Sequence, residues 1–501
     1  MIKAKLLLIV AVLSASVLHA QTKKLFNETP EQKEKRMAWW THDRFGMFIH
    51  WGLYALPARH EWVKQNERLT NQQYQKYFDN FNPDLYDPKE WAKMAKAAGM
   101  KYAVLTTKHH EGFCLFDSKY TDYKSINTPV KKDLVKEWLD AFRAEGIKVG
   151  FYYSLIDWHH PDFIIDGMHP QRLKENSDTG YARLNKGKNW NKYKTYLHNQ
   201  VRELLTSYGK IDIMWLDFSY PGKYGKGKDD WGSVELLKMI RKLQPGIIVD
   251  DRLDLNEYAD GADFRSPEQV KPSELKKGND GMPFETCQTF SGSWGYYRDE
   301  NTWKTNHQLL TLLITSVSKD GNLILNVGPT ARGLFDYRAQ NALDSIAIWM
   351  KYNNRSIYGC KDAPDSFSAP ENTLLTYNPV TKRLYVHLME YPDTHTLTLT
   401  GYKDKIKYVQ FLHDASESFS IPENTLLTYN PVTKRLYVHL MKYPDMHTLV
   451  LSGYKDKIKY VQFLHDASEI TTKSETGNDL TLQLPERKPN MEIPVIEIML
   501  N

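Results

Sequence analysis

Between about residues 25 and 358, short apolar runs of strand length alternate with longer stretches of helical period, and this alternation limits the fold more than any other feature. The strand-like runs are 45–49, 102–106, 148–153, 211–216, 247–250 and 323–327. Between them lie helical patterns such as 132–145, 193–208, 234–242 and 307–318, several closed by glycine. A βα alternation buries both faces of a parallel sheet under helices. So many units in succession predict an α/β fold built as a closed (β/α)8-like, TIM-type barrel over 21–358, rather than an open doubly wound sheet. No Gly-rich dinucleotide fingerprint follows the early strands, which argues against a nucleotide-binding fold.

After about Gly359 the period changes. Short alternating strands at 373–377, 383–388, 396–399 and 406–412 are separated by Asn-Pro and Pro-Asp turns, predicting an all-β sandwich over 359–501. Inside it the chain repeats itself: 366–417 recurs as 418–469, with differences only at Ala369/Ile421, Glu390/Lys442, Thr394/Met446, Thr398/Val450 and Thr400/Ser452. Two nearly identical copies do not make a stacked array, which needs three or more diverged units. The repeat reads as a partial duplication of one sandwich segment, with one copy structurally surplus and no chemistry of its own.

At the N-terminus, Lys3 and Lys5 precede an apolar run from Leu6 to Leu18 and then Ala20. This has the form of a signal peptide, 1–20, too short to span a bilayer. The chain is therefore expected to be exported, to the periplasm or outside the cell, without membrane insertion. Cys114, Cys287 and Cys360 are odd in number and scattered, so buried free thiols are expected rather than a disulfide framework. Lys+Arg 66 against Asp+Glu 61 leaves a net charge of +5 with the signs interspersed, which gives no basic arm for nucleic acid. The 31 Tyr and 13 Trp are the one unusual feature of composition. Aromatic, polar-lined sites suit sugars, whose CH faces stack on rings while their hydroxyls take directional partners.

In a barrel, chemistry lies at the carboxyl ends of the strands, so the polar residues that close the apolar runs are the candidates. They are His50 after Phe48-Ile49, His109 and His110 after the second run, Tyr152, Tyr153 and Ser154 after the third, Asp217 after Trp215-Leu216, and Asp250, Asp251 and Arg252 after the fifth. Asp217 ends what reads as a buried central strand, two positions after Trp215 and so on the same face. A carboxylate so placed can attack an anomeric carbon; as a helix cap it would do no chemistry. Adjacent His109 and His110 point to opposite faces of a strand and fit no metalloprotease spacing, so they read as ligands of sugar hydroxyls and not of a metal.

Taken in order, His50-Trp51-Gly52, Glu61-Trp62, Lys108-His109-His110-Glu111-Gly112-Phe113, Trp215-Leu216-Asp217, Phe284-Glu285-Thr286-Cys287, Ser293-Trp294-Gly295-Tyr296 and Gly321-Asn322 through Asn326 to Gly328-Pro329 resemble the α-L-fucosidases of glycoside hydrolase family 29, the broad-specificity branch in particular. The resemblance runs from about residue 30 to 350. It implies a retaining exo-glycosidase acting on terminal α-L-fucose of fucosylated glycans or oligosaccharides, with no metal and no organic cofactor. By position it implies that Asp217 is the nucleophile. It implies that His50, His109, His110, Trp215, Arg252, Glu61 and Trp62 hold the sugar, and that Phe48 and Trp294 form the apolar patch for its C6 methyl. Tyr153 is carried over with Tyr152 as its rival. Retention needs a second carboxyl group as acid/base. Glu268, on the loop after Arg252, is preferred, and Glu285, inside a compact motif, is the alternative. A glycosidase for another galactose-configured sugar and a non-catalytic fucose lectin are the competing readings.

Overall fold

The computed structural model describes residues 23–500, apart from 272–273, 275–280, much of 394–424 and short stretches beyond 430; the expected signal segment lies outside the described residues. Seven parallel strands form one sheet: β1 Phe45–Ile49, β2 Tyr102–Lys108, β3 Lys148–Ser154, β4 Ile213–Asp217, β5 Ile248–Val249, β6 Glu285–Thr289 and β7 Asn322–Val327. Their order is β5-β4-β3-β2-β1-β7-β6. Residues 263–269 fill the gap between β5 and β6. Asp263 N–H donates to Val249 O at 2.8 Å on one side; on the other, Glu285 N–H donates to Arg265 O at 2.8 Å and Cys287 N–H to Pro267 O at 3.0 Å. This segment occupies the eighth strand position, and the sheet is a (β/α)8-like barrel.

Two of these eight positions, 263–269 and β6, are missing from the sequence expectation. In β6 the reason is plain: Glu285, Thr286, Gln288 and Thr289 break the apolar pattern, yet all four are buried in the sheet. The fifth run shortens to Ile248–Val249 because the Asp250 carboxylate, not a backbone carbonyl, accepts from Leu216 N–H at 2.9 Å.

Helices cover the outside, and their ends are written locally. Thr29 and Gln32 form a capping box ahead of helix Pro30–Asp43, and Asp133 caps helix Leu134–Ala144. Side chains alternate between two cores. Phe48, Tyr102, Val104, Tyr152, Ile213, Trp215 and Ile324 fill the barrel, and a larger apolar layer lies between sheet and helices. Gly46 belongs to the inner set, where a Cβ would collide with the Tyr102 ring. Cys114, Cys287 and Cys360 are buried free thiols.

Beyond Cys360 the strands are antiparallel. The second copy of the repeat supplies a hairpin, Thr425–Asn430 with Arg435–Leu440, to a four-stranded sheet completed by Val495–Leu500 and Ile458–Phe463. This sheet shares a core with the three-stranded sheet Thr448–Ser452, Asp479–Gln483 and Thr471–Ser474, and Leu436, Val438, Leu440, Leu451, Ile496 and Ile498 fill it.

The first copy forms the same hairpin, Thr373–Asn378 with Arg383–Leu388, in the same register. It uses the opposite face. Tyr385 packs on the barrel's outer core, and Thr376 Oγ1 donates to Ser356 O at 2.8 Å. The expected strands 396–399 and 406–412 lie partly outside the described residues, and their described positions carry no strand. The matching residues of the second copy do form strands. The reason is stoichiometric: the partner strands Asp479–Gln483 and Val495–Leu500 occur once, and the second copy holds them. A strand with no partner leaves its backbone groups unpaired and does not form.

Candidate active site

The carboxyl ends of the strands converge on Asp217, the last residue of β4. Its Oδ1 accepts from Arg252 at 3.0 Å and its Oδ2 accepts from the Tyr152 hydroxyl at 2.7 Å. Burial holds the Asp217 carboxyl above the ordinary aspartate range; the Arg252 guanidinium opposes this and the nearby Glu268 adds to it. Arg252 also reaches Glu268 Oε2 at 3.2 Å and Ser266 O at 2.9 Å, and its guanidinium lies 5.0 Å from the centre of the Trp215 ring. The other oxygen of Glu268 accepts from the Trp294 indole N–H at 3.0 Å. One guanidinium therefore spans two carboxylates, the first buried at a strand end and the second with its side chain 44% exposed.

The histidines present a defined hydrogen-bonding face. Ser154 donates its hydroxyl proton to Ile156 O at 2.9 Å, so His110 Nδ1–H must be the donor in the 2.7 Å contact with Ser154 Oγ. Its Nε2, left with a lone pair, lies 3.9 Å from Asp217 Oδ2. Asn326 Nδ2 donates to Trp294 O at 2.7 Å, so its Oδ1 accepts from His50 Nδ1–H at 2.6 Å. Burial pushes His50 down to about 3 and holds His109 and His110 well below the usual imidazole range. Neutral His50 and His110 thus offer Nε2 lone pairs that can accept from sugar hydroxyls. His109 stacks beside His110 with ring centres 4.0 Å apart.

The remaining wall is aromatic and comes partly from loops. Phe48 stands 5.2 Å from Trp215 and 6.1 Å from Trp294 between ring centres. Trp62 packs against His110 at 5.1 Å. Glu61 ties the two loops together, its Oε2 accepting from the N–H groups of Trp294 at 3.1 Å and Gly295 at 2.9 Å. Its burial raises its carboxyl above the usual range.

Of the expected site residues, Tyr153 does not join this cluster. The register pairs Tyr152 with Trp215 and Ser154 with Asp217, so these share the inner face while Tyr153 points outward. Its hydroxyl donates to Gln200 at 2.8 Å, and the Lys108 ammonium lies 4.4 Å from its ring centre. Tyr152 takes the inner position.

Glu285 is also elsewhere. It opens β6, about 13 Å of strand below the carboxyl mouth, with Tyr102 and Trp40 donating to its Oε2. Sequence reasoning carried Tyr152 only as the rival of Tyr153 and gave no specific role to Ser154 or Asn326; the partners of all three come from other strands or strand ends. No group of three or more His, Cys, Asp or Glu side chains among the described residues could hold a metal ion, and no helix among them is long and apolar enough to cross a membrane.

Burial pushes the Glu285 carboxyl up to about 7 against the pull of its Tyr102 and Trp40 bonds. A group raised on folding supports the fold fully below its unfolded value and loses that contribution as pH rises through the folded one. The shift corresponds to about 3 kcal/mol lost between roughly pH 4.5 and 7. Denaturant unfolding at pH 5 and pH 8 should show this fall in the native protein and a smaller one in Glu285→Gln. Equal falls in both would place the titration on another group.

A family model described as Alpha-L-fucosidase matches residues 12–355. The chain is 30% identical over 389 residues to human tissue alpha-L-fucosidase, covering 72% of this chain and 77% of that one. Among solved structures it is similar to alpha-L-fucosidase isoenzyme 1 from Paenibacillus thiaminolyticus, with 39% identity, a TM-score of 0.64, and 94% of this chain and 99% of that one covered. It is also similar to a Bacteroides thetaiotaomicron GH29 alpha-L-fucosidase trapped as a covalent intermediate with 2-fluoro-fucosyl fluoride, with 26% identity, a TM-score of 0.59, and 95% and 97% covered. With the family model spanning well over half its length and a barrel of the same architecture, the chain belongs to the alpha-L-fucosidase family.

Proposed function

We propose that the protein is an exported, exo-acting retaining α-L-fucosidase that removes terminal α-L-fucose from fucosylated glycans or oligosaccharides. The observation that carries this reading is the pairing of Asp217 and Glu268 across one guanidinium at the mouth of the barrel. The Asp217 carboxylate attacks the anomeric carbon while the glycosidic C–O bond breaks and Glu268 delivers a proton to the leaving oxygen. Glu268, now ionised, then takes a proton from water. That water attacks the same carbon and releases Asp217, so two inversions give net retention. Tyr152 and Arg252 hold the nucleophile in place, and His50 and His110 accept from ring hydroxyls.

Phe48 and Trp294 suit a methyl group at C6. A substrate with a 6-hydroxyl would lose the hydration of that group among rings without gaining a partner, at about 1–3 kcal/mol. An aryl α-L-galactoside, which differs from the α-L-fucoside only by that hydroxyl, is therefore expected to be turned over about 5- to 160-fold more slowly in kcat/KM; equal rates would point to another galactose-configured substrate. The basic residues and apolar run at 3–18 support export, to the periplasm or the medium. The Ser293-Trp294-Gly295-Tyr296 motif favours the broad-specificity branch.

The decisive experiment is trapping with 2-fluoro-fucosyl fluoride followed by peptide mapping. The label is expected on the peptide holding Asp217. Binding of fucose without any label or turnover would support a lectin instead, and a label on another carboxylate would overturn the mechanism.

A further inference from the structure

The repeat leaves the C-terminal region with a mismatch. Arg383–Leu388 and Arg435–Leu440 have the same sequence, Arg-Leu-Tyr-Val-His-Leu, and the same hairpin partner on one edge. On the other edge Arg435–Leu440 pairs with Val495–Leu500 from Arg435↔Met499 to His439↔Val495. Arg383–Leu388 is the outer strand of its sheet, with no strand on that edge among the described residues. The side chains tell the same story. Leu436, Val438 and Leu440 are fully buried, whereas Leu384 and Val386 are half-buried and Leu388 is 36% exposed.

Strand exchange cannot remove the mismatch. Among the described residues each chain carries two such edges and one C-terminal strand, so one edge per chain stays open wherever that strand sits, in its own chain or in another. Pairing between the left-over edges of two chains closes both. We propose that Arg383–Leu388 docks antiparallel against the same strand of a second copy of this chain across a two-fold axis.

The two faces of the hairpin limit the register. Tyr385 packs toward the barrel, and Leu384, Val386 and Leu388 alternate with it on the other face. Opposed residues in an antiparallel pair share a face, so a continuous sheet with a two-fold axis normal to it puts outward residues opposite outward ones. The register that does so with the axis at Val386 sets Val386 against its own copy and Leu384 against Leu388. It brings no like charges face to face, and it extends a row of apolar pairs across the join. The strand carries no proline, one of the usual devices that keep an edge from pairing, and its one charge, Arg383, is exposed at its first residue and faces Met389 in this register.

The test is the association state of the full chain by sedimentation equilibrium over a range of concentrations. A concentration-dependent dimer is expected for the native protein. Val386→Lys and Val386→Glu should each weaken it by about tenfold or more, because like charges then face each other across the axis. Mixing the two variants should restore a mixed dimer. Val386→Cys should give a disulfide-linked dimer under mild oxidation. Fucoside turnover, far from this edge, reports that the variants are folded. A native protein that stays monomeric throughout, or a dimer indifferent to charge at position 386, would overturn the proposal, as would a disulfide between Tyr385→Cys and Glu497→Cys, which would put the C-terminal strand on this edge.

Discussion

Asp217→Ala is expected to lower kcat/KM for an aryl α-L-fucoside on the order of 10⁴-fold, about 5.5 kcal/mol of transition-state stabilisation, while fucose still binds. The carboxylate is the only group at the end of β4 that can form the glycosyl ester. Alanine leaves Arg252 with its bonds to Ser266 and Glu268, so the pocket that holds the hydroxyls persists. Turnover measured beside fucose binding by calorimetry separates the two effects. Near-native turnover in this variant would remove Asp217 from the chemistry. The pH dependence carries the same signature. The nucleophile must be ionised, and burial raises its carboxyl, so activity should fall as pH drops through that raised value, at a higher pH than for an exposed aspartate.

The second large effect separates the two glutamates. Glu268→Ala is expected to lose about 10²–10⁴-fold in turnover of a substrate that needs a proton on its leaving oxygen. With an aryl fucoside whose leaving group departs without a proton, breakdown of the fucosyl ester limits turnover instead. There azide should restore part of the rate, because a small anion can occupy the space of the missing side chain and attack the ester without general-base help, giving fucosyl azide with retained configuration. Glu285→Ala should keep its activity per folded molecule and respond to azide not at all. Its carboxyl lies at the amino end of β6, enclosed by Tyr102 and Trp40, where no leaving group can reach. Azide rescue at position 285 and none at 268 would transfer the acid/base role to Glu285.

How much of this was legible beforehand depended on whether the signal was local. The barrel could be read because β1 to β4 and β7 are apolar runs whose buried faces leave a clear period, and the caps at Thr29 and Asp133 are set by neighbours three residues away. β6 could not, since polar residues fill it although it is buried in the sheet, with Glu285 held by Tyr102 of β2 and by Trp40 of helix Pro30–Asp43. Tyr152 and Tyr153 are equally good candidates as adjacent aromatics. Only the pairing of β3 with β4, which aligns Tyr152 with Trp215, assigns one to the cavity and the other to the helix layer. The tautomers of His50 and His110 are likewise decided by Asn326 and Ser154, each on a different strand from the ring it holds.

The sequence by itself determined the alternation that makes a barrel, the carboxylate at the end of the fourth apolar run, and the near-identity of the two repeat copies. Each is written in residues close together in the chain, where period and spacing are enough. The tertiary structure alone decided which tyrosine faces the nucleophile, which glutamate shares its guanidinium, and which copy of the repeat completes the sandwich. Those outcomes depend on partners that are distant in sequence and limited in number. A strand forms only where another is free to pair with it, and a side chain's surroundings are set by the register in which that pairing occurs.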